Sequence, residues 1–146
     1  MARRLALAKA RAGAAGLRRG FVLGADTVVI LDGKPLGKPS SPAAARRMLR
    51  SLSGRWHAVV TALALLDPAT GVARCGHARS RVLFESLEAA EIRSYVASGE
   101  PMDKAGAYAL QGEGRALVRR WSGSPTNIIG LPLELLSRLL GPAPPE

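Results

Sequence analysis

The stretch FVLGADTVVILDGKPLGKP, residues 21–39, decides which fold this chain can adopt. Its first part, residues 21–31, is apolar and rich in β-branched side chains, which is typical of a buried strand. The pair Asp32-Gly33 then predicts a tight turn. Two prolines follow, and because proline cannot donate a hydrogen bond within a ladder, the returning segment must be short or lie on a sheet edge. We therefore expect a strand, a turn and a short return here.

Asp26 lies inside this apolar strand. A carboxylate at such a place loses hydration worth several kcal/mol unless cations or hydrogen-bond donors surround it. The candidate partners are Lys34, Lys38 or a bound metal ion. Strand alternation directs Asp26 to one face and Thr27 to the other, and an ideal hairpin would place Lys38 opposite Thr27. Two interpretations remain open: a general base or metal ligand beside a phosphate-binding lysine, or a structural ion pair.

Capping and periodicity patterns divide the rest of the chain into interspersed helices and strands. Ser41 followed by Pro42 starts a helix, and Gly99 stands where a helix would end. A turn at residues 67–71 joins two apolar strands as a hairpin. The predicted helices are 2–12, 42–52, 87–98 and 132–140, and the predicted strands are 21–31, 55–67, 72–85 and 116–121. This mixture predicts an α/β fold, with α+β as the alternative, in which helices flank a mixed twisted sheet.

Length, charge and composition restrict the class of protein. With 146 residues the chain suits one domain, residues 1–146, with a substantial core. Its apolar runs are too short to span a bilayer and its single cysteine, Cys75, cannot form an internal disulfide, so we expect a soluble cytoplasmic protein. The net charge of +10 suits a polyanionic partner, although a compositional bias toward arginine explains it equally well. The aromatic content of 4% disfavours a nucleic-acid surface built on base stacking.

A second polar cluster, DKAGAYALQG, spans residues 103–112. Its small residues allow a backbone to approach a ligand closely, and the Gln111 amide can pair with the edge of a nucleobase. A loop whose polar groups satisfy one another is the alternative. His57, at the start of an apolar strand, is more typical of a structural histidine than of a catalyst, and Asn127 suits a turn or a helix cap.

Several sequence blocks occur in a characteristic order: GADTVV, LGKP, a helix ending in LSG, GEPMDKAGAYALQG and NIIGLPLELL. In this combination the chain resembles the Maf family of nucleoside triphosphate pyrophosphatases along nearly its whole length. The resemblance implies a Maf/ITPase-like α/β fold with a deep cleft and a divalent metal cofactor, Mg2+ or Mn2+. It also implies hydrolysis of a nucleoside triphosphate substrate to the monophosphate and pyrophosphate, without a nucleic-acid or membrane partner, and it is compatible with a homodimer.

The same resemblance gives roles to individual residues. By motif, Asp26 corresponds to the catalytic proton acceptor, and Lys9 and Lys38 correspond to lysines that contact phosphates or the acidic cluster. Thr27 and Gln111 look like the substrate-binding residues of the pyrimidine-selective subgroup, which acts on dTTP and UTP. The identity of the metal ligands is left open.

The chain also departs from the family pattern. Family members open with a strand and an S-x-S-P-R-R loop whose serine and arginines bind the triphosphate, whereas Met1 here aligns inside a later helix. The arginine pairs at residues 3–4 and 18–19 do not follow an S-x-S sequence and are not given that role. We therefore expect an N-terminally shortened domain, either an active pyrophosphatase or a catalytically impaired nucleotide-binding or interaction protein of the same fold.

Overall fold

A computed structural model describes residues 2–141 of the chain. Helices and strands are interspersed along it, and three short 3-10 segments connect the third helix to the last strand. The helices are α1 (Ala2–Gly13), α2 (Pro42–Leu52), α3 (Ala89–Ala97), α4 (Pro125–Ile129) and α5 (Leu133–Leu140), and the strands are β1 (Val22–Leu31), β2 (Lys34–Leu36), β3 (Trp56–Leu66), β4 (Ala73–Phe84) and β5 (Val118–Ser122). The 3-10 segments are Glu100–Asp103, Ala105–Ala107 and Gly112–Leu117.

The five strands form one sheet in the order β2-β1-β3-β4-β5. The predicted α/β architecture, a sheet flanked by helices, is confirmed. We expected a mixed sheet, but all four strand pairings among residues 2–141 are antiparallel. Tight turns make the pairs β1–β2 and β3–β4 antiparallel, because parallel strands would need a crossover of a dozen or more residues. The pairs β1–β3 and β4–β5 are joined by longer connections that contain α2 and α3, and these too lead to antiparallel neighbours.

The two faces of the sheet bury different layers. On one face, Val29 and Leu31 of β1 pack into the main core together with α2, α3 and the segments that follow α3. On the other face, α1 buries a small cluster made almost entirely of alanine. That second cluster contains Ala6, Ala10, Ala62, Ala64 and Leu66. The alanines are small enough to let α1 lie very close to the sheet.

Gly24 is the point at which α1 comes closest to β1. A Cβ atom at this position would overlap the carbonyl oxygen of Ala6 and would lie 2.7 Å from the backbone nitrogen of Ala10. Both of these alanines are completely buried. The missing side chain therefore lets the helix backbone rest on the strand backbone, and this contact fixes which α1 residues reach the edge of β1.

Two local features differ from the sequence prediction. α3 begins at Ala89 after Glu88, whose side chain makes no capping hydrogen bond, and not after Ser86. The loop expected before the last helix contains the short helix α4, because Ser124 caps it by accepting from the backbone N–H of Asn127 at 3.3 Å. Within residues 2–141, no helix combines the length and the apolar character needed to cross a membrane.

Replacement of Gly24 tests the backbone contact between α1 and β1. In Gly24→Ala the new methyl group has no free space, so we expect the free energy of unfolding to fall by about 3 kcal/mol. Gly37→Ala is the matched control because a Cβ there meets no atom within 4 Å. Its effect should stay within ~0.5 kcal/mol. Urea unfolding of both variants measures the difference, and equal effects would contradict the close approach at Gly24.

Candidate functional site

The edge of β1 is only partly covered. β2 pairs with Val29, Ile30 and Leu31 alone, so the preceding part of this edge has no strand partner within the described residues. Lys9 of α1 reaches this open stretch, and its Nζ donates to the carbonyl oxygen of Ala25 at 3.0 Å. The uncovered edge therefore exposes residues of both sheet faces at one place.

Lys9 is also the ion-pair partner of Asp26. Its Nζ lies 2.9 Å from Oδ1 of Asp26, whose side chain is 17% exposed against 56% for Lys9. Local spacing gave Lys34, Lys38 or a bound metal ion as candidate partners of this acid. The direct contact is instead made by Lys9, which the family motif, and not the local spacing, had associated with the acidic cluster or the phosphates. The cause is the packing of α1 at Gly24, which brings a lysine from 17 residues away over the face to which Asp26 points. An ion pair this exposed adds little stability, so its main effect is to hold an ammonium group beside the carboxylate.

Two cavities meet at Asp26, Thr27 and Lys38, which line both of them. The larger, about 790 Å³, extends over the β1–β3–β4 face and is mostly apolar, with Arg3, His77 and Arg79 among its further polar lining residues. The smaller, about 240 Å³, lies against the end of α4 and the 103–109 segment. β2 ends at Leu36, so Lys38 lies beyond the regular hairpin and is not bound to the face opposite Asp26, and it shares a cavity with Asp26.

The smaller cavity concentrates charged groups. Three lysines, Lys9, Lys38 and Lys104, and two carboxylates, Asp26 and Asp103, line it. Lys104 lies 3.2 Å from Asp103, and its hydrogen bond and charge lower the pKa of that carboxyl, with a smaller contribution from Lys38. Lys9 and Lys104 are paired with Asp26 and Asp103, whereas Lys38 has no ion-pair partner among residues 2–141. The excess of positive charge suits a negatively charged ligand.

The donor set also suits a divalent cation that arrives with a phosphate ligand. Within residues 2–141, no three His, Cys, Asp or Glu side chains are grouped as a ready-made metal centre. Mg2+ commonly takes only one or two protein carboxylates and completes its coordination with substrate phosphates and water. Asp26 and Asp103 supply that number of carboxylates in one cavity.

Thr27 belongs to a chain of buried polar groups that the sequence did not reveal. Its Oγ1 lies 2.8 Å from Oγ1 of Thr61 on β3, and Thr61 in turn donates to the backbone carbonyl of Asn127 at 3.0 Å. Thr61 and Asn127 are both completely buried. The available signal was a lone hydroxyl residue within the apolar run 58–66. Asn127 does more than the turn or cap role expected of it, because its side chain is anchored in the core.

Gln111 lies apart from this cluster. It is exposed, it lines neither of the two cavities, and it precedes the 3-10 segment Gly112–Leu117. The loop around it is fixed by Glu100, which accepts from the Tyr95 hydroxyl at 3.0 Å and from the backbone N–H groups of Glu113 and Gly114 at 3.2 and 3.1 Å. The contact of Gln111 with a nucleobase therefore stays a prediction.

His57 is buried in the core and makes structural contacts there. Its Nε2 lies 2.6 Å from the hydroxyl of Tyr108, and its ring makes edge contacts with Phe84 and Tyr108. Burial lowers the pKa of His57 to about 4, against a smaller opposite effect of the Arg55 backbone. The ring is therefore neutral at physiological pH and joins β3 to the 103–109 segment that forms a wall of the smaller cavity.

The depressed pKa of His57 predicts how stability depends on pH. The unfolded chain takes up a proton near pH 6.5, whereas the folded chain does so only near pH 4, so stability is lost as the pH falls through this window. From pH 7.5 to pH 5 we expect this residue to reduce the free energy of unfolding by about 2 kcal/mol. Urea unfolding at both pH values should show a smaller loss in His57→Asn than in the wild type. An unchanged pH dependence in His57→Asn would contradict the assignment.

Comparison with known proteins bears on this cleft. A protein-family model described as Maf-like protein matches residues 1–143. The chain is 54% identical over 136 residues to a protein of Moorella thermoacetica, a match that covers 93% of this chain and 70% of the relative. It is 48% identical to a protein of Pelotomaculum thermopropionicum, with 93% and 71% covered, and 50% identical to one of Shewanella denitrificans, with 89% and 66% covered. Each of these three relatives carries the name dTTP/UTP pyrophosphatase.

Proposed function

The chain belongs to the Maf family, and on that premise we propose that it hydrolyses a nucleoside triphosphate, dTTP or UTP, to the monophosphate and pyrophosphate. The observation that carries the proposal is the placement of Asp26 among Lys9, Lys38 and Lys104 in one cleft at the open edge of β1. A carboxylate that accepts a proton, beside several ammonium groups that bind phosphates, is the equipment that hydrolysis of a triphosphate requires.

The proposed reaction is an in-line displacement at the α-phosphorus. A water molecule gives up a proton to the Asp26 carboxylate while its oxygen forms a bond to the α-phosphorus. The bond from the α-phosphorus to the bridging oxygen breaks, and pyrophosphate leaves with that electron pair. The 2.9 Å contact between Lys9 Nζ and Asp26 Oδ1 holds the Asp26 carboxylate in place.

The lysines of the cleft bind the phosphate chain in this proposal. Lys38 lines both cavities, so a ligand that extends from one to the other passes it. Ammonium groups that meet phosphate oxygens stabilise the negative charge that grows on the leaving group. When bound, Mg2+ or Mn2+ would be held by Asp103 together with the phosphate oxygens, and it would neutralise further charge on the triphosphate. A metal ion held by Asp26 is the alternative to its role as proton acceptor.

Thr27 and Gln111 are the proposed contacts to the base. The proposed base contact of Thr27 is supported by its position on the walls of both cavities, next to Asp26 in the chain. Gln111 would take part through its exposed loop near the 103–109 wall, and this role rests on the family motif. The names of the relatives, which pair dTTP with UTP, support a site for pyrimidines that carry two ring carbonyls.

Asp26→Asn tests the proton acceptor. The amide cannot take a proton from water, so we expect the rate of pyrophosphate release from UTP in the presence of Mg2+ to fall by a factor of about 10³. Asp32→Asn is the matched control: Asp32 is an exposed turn residue at φ 51°, a conformation that asparagine also tolerates, and its partner is Arg55. Wild-type protein that binds UTP without releasing pyrophosphate would identify a nucleotide-binding protein and overturn the proposed enzyme.

Lys38→Met tests the proposed phosphate contact. The loss of a charge-assisted hydrogen bond should raise the KM for UTP by a factor of about 10, with a folded protein of normal stability. Lys34→Met is a close control because Lys34 lies on the same hairpin, is exposed and lines neither cavity. Steady-state kinetics of both variants decide the point. A similar KM in the two variants would remove Lys38 from the phosphate site.

A further inference from the structure

We propose that Thr61 and the backbone carbonyl of Asn127 are positioning groups that turn the Thr27 hydroxyl into a fixed hydrogen-bond acceptor toward the nucleobase. The site would therefore favour bases with a ring N–H, such as uracil and thymine, over cytosine. The inference rests on the proposed function and concerns how this site selects its substrate.

The argument begins with the protons of two hydroxyl groups. A threonine hydroxyl has a single hydrogen, and a carbonyl oxygen can only accept. The Thr61 oxygen lies 3.0 Å from the carbonyl oxygen of Asn127 in a completely buried place, so Thr61 must direct its hydrogen there to avoid two facing lone pairs. Across the 2.8 Å contact between Oγ1 of Thr27 and Oγ1 of Thr61, Thr27 is then the donor. The Thr27 hydrogen points into the protein, and its remaining lone pairs are left for a ligand.

The Asn127 carbonyl is held in place by the rest of its own residue. The Asn127 side chain donates to the carbonyl of Val59 at 3.1 Å and to the Ser80 hydroxyl at 2.9 Å. Ser80 donates in turn to the carbonyl of Ser124 at 2.9 Å, just before α4. The carbonyl therefore cannot swing away from Thr61 unless buried polar groups on β3 and β4 lose their partners, which is costly.

The space in front of the Thr27 hydroxyl is open to the cleft. Gly130, at φ 121°, ends α4 beside this hydroxyl, and a Cβ built on it would lie 3.6 Å from Oγ1 of Thr27. This backbone conformation favours glycine, so the position carries no side chain that would cover the oxygen. Thr27 and Gly130 both line the smaller cavity, next to Asp26 and the lysines.

An oxygen that only accepts distinguishes between the two kinds of pyrimidine. Uracil and thymine carry a hydrogen on ring nitrogen N3, which can donate to Thr27. Cytosine has a lone pair at N3, and its donor on that edge is the neighbouring N4 amino group. At the position where N3 of uracil meets Thr27, cytosine would place a lone pair against the oxygen, and it could offer its N4–H only by shifting its ring within the cavity. A free threonine hydroxyl would serve both bases by rotation, and the buried chain removes this freedom.

Thr61→Val is the decisive variant because it removes the hydroxyl and keeps the β-branched shape. Without its partner, the Thr27 hydroxyl can turn its hydrogen toward the cleft and accept cytosine. We expect the ratio of kcat/KM for UTP to kcat/KM for CTP to fall by a factor of about 10. Thr61→Ser keeps the donor and should keep the wild-type ratio. Thr70→Val, at an exposed turn, is the control for loss of a threonine hydroxyl elsewhere and should also keep it.

The ratio separates positioning from a structural role. If Thr61 served only to stabilise the fold, its loss would lower kcat/KM for both nucleotides alike and leave the ratio unchanged. That result, with UTP hydrolysis retained, overturns the inference and leaves the proposed function intact. If Thr61→Val does not fold, Thr61→Ala replaces it with the same expected fall in the ratio.

Binding of the monophosphates distinguishes failure of the inference from failure of the proposed function. Calorimetry with UMP and CMP needs no hydrolysis. Wild-type protein that releases no pyrophosphate overturns the proposed function, and the inference then stands only if Thr61→Val binds the two monophosphates more equally than the wild type. If the wild type and Thr61→Val show the same preference between UMP and CMP, the inference is overturned.

Discussion

The contact of one backbone with another at Gly24 is the constraint on which the candidate site depends. α1 can rest on β1 only because glycine offers no side chain at the crossing point and alanines face it from the helix. This distance sets how far Lys9 extends beyond the sheet, and so it sets the ion pair with Asp26. A helix held one methyl group further away would carry the ammonium group away from the carboxylate. Packing of the smallest residues in the chain thereby controls the position of its most important charges.

The two adjacent residues Asp26 and Thr27 use the opposite faces of β1 for different purposes. Asp26 meets α1 and its lysine, whereas Thr27 meets Thr61 and the buried groups behind α4. Where a strand is paired on both sides, the sheet itself separates the side chains of adjacent residues on its two faces. Here β2 ends at Leu36, so no strand among residues 2–141 covers the edge of β1 beside both residues, and one cleft reaches both side chains. The early end of β2 is thus what brings the proposed proton acceptor and the proposed base contact together in one cleft.

Much of the fold could be predicted from the sequence because it is set by local patterns. The strand predicted at residues 21–31 is observed at Val22–Leu31, and the helix after Ser41 ends at Leu52 as its pattern indicated. α4 was not predicted because a helix of five residues is too short to show a helical hydrophobic pattern. The only sequence signal for it is the capping residue Ser124. We expected a mixed sheet because helices are interspersed with the strands, but the strands that the connections through α2 and α3 place side by side are also antiparallel.

The site was less predictable because its contacts join distant parts of the chain. Spacing within the hairpin suggested lysines close to Asp26, but the contact comes from Lys9, which only the tertiary packing of α1 can bring there. Thr61 meets a carbonyl 66 residues away, and no pattern within β3 distinguishes it from a threonine that merely favours strands. Lys9, Lys38 and Thr27 share a cavity with Asp26, while the exposed Gln111 lines neither of the two that Asp26 lines.

The open edge of β1 has one more consequence, for association between chains. An uncovered strand edge is a template on which the strand of another molecule can add, and it invites aggregation. Lys9 donates a hydrogen bond to the carbonyl oxygen of Ala25 on this edge, so it places a positive charge where an incoming strand would have to pair. A lysine is among the groups that natural sheets use to prevent such additions. The residue that holds the candidate catalytic acid thereby also protects the strand from pairing with a neighbour.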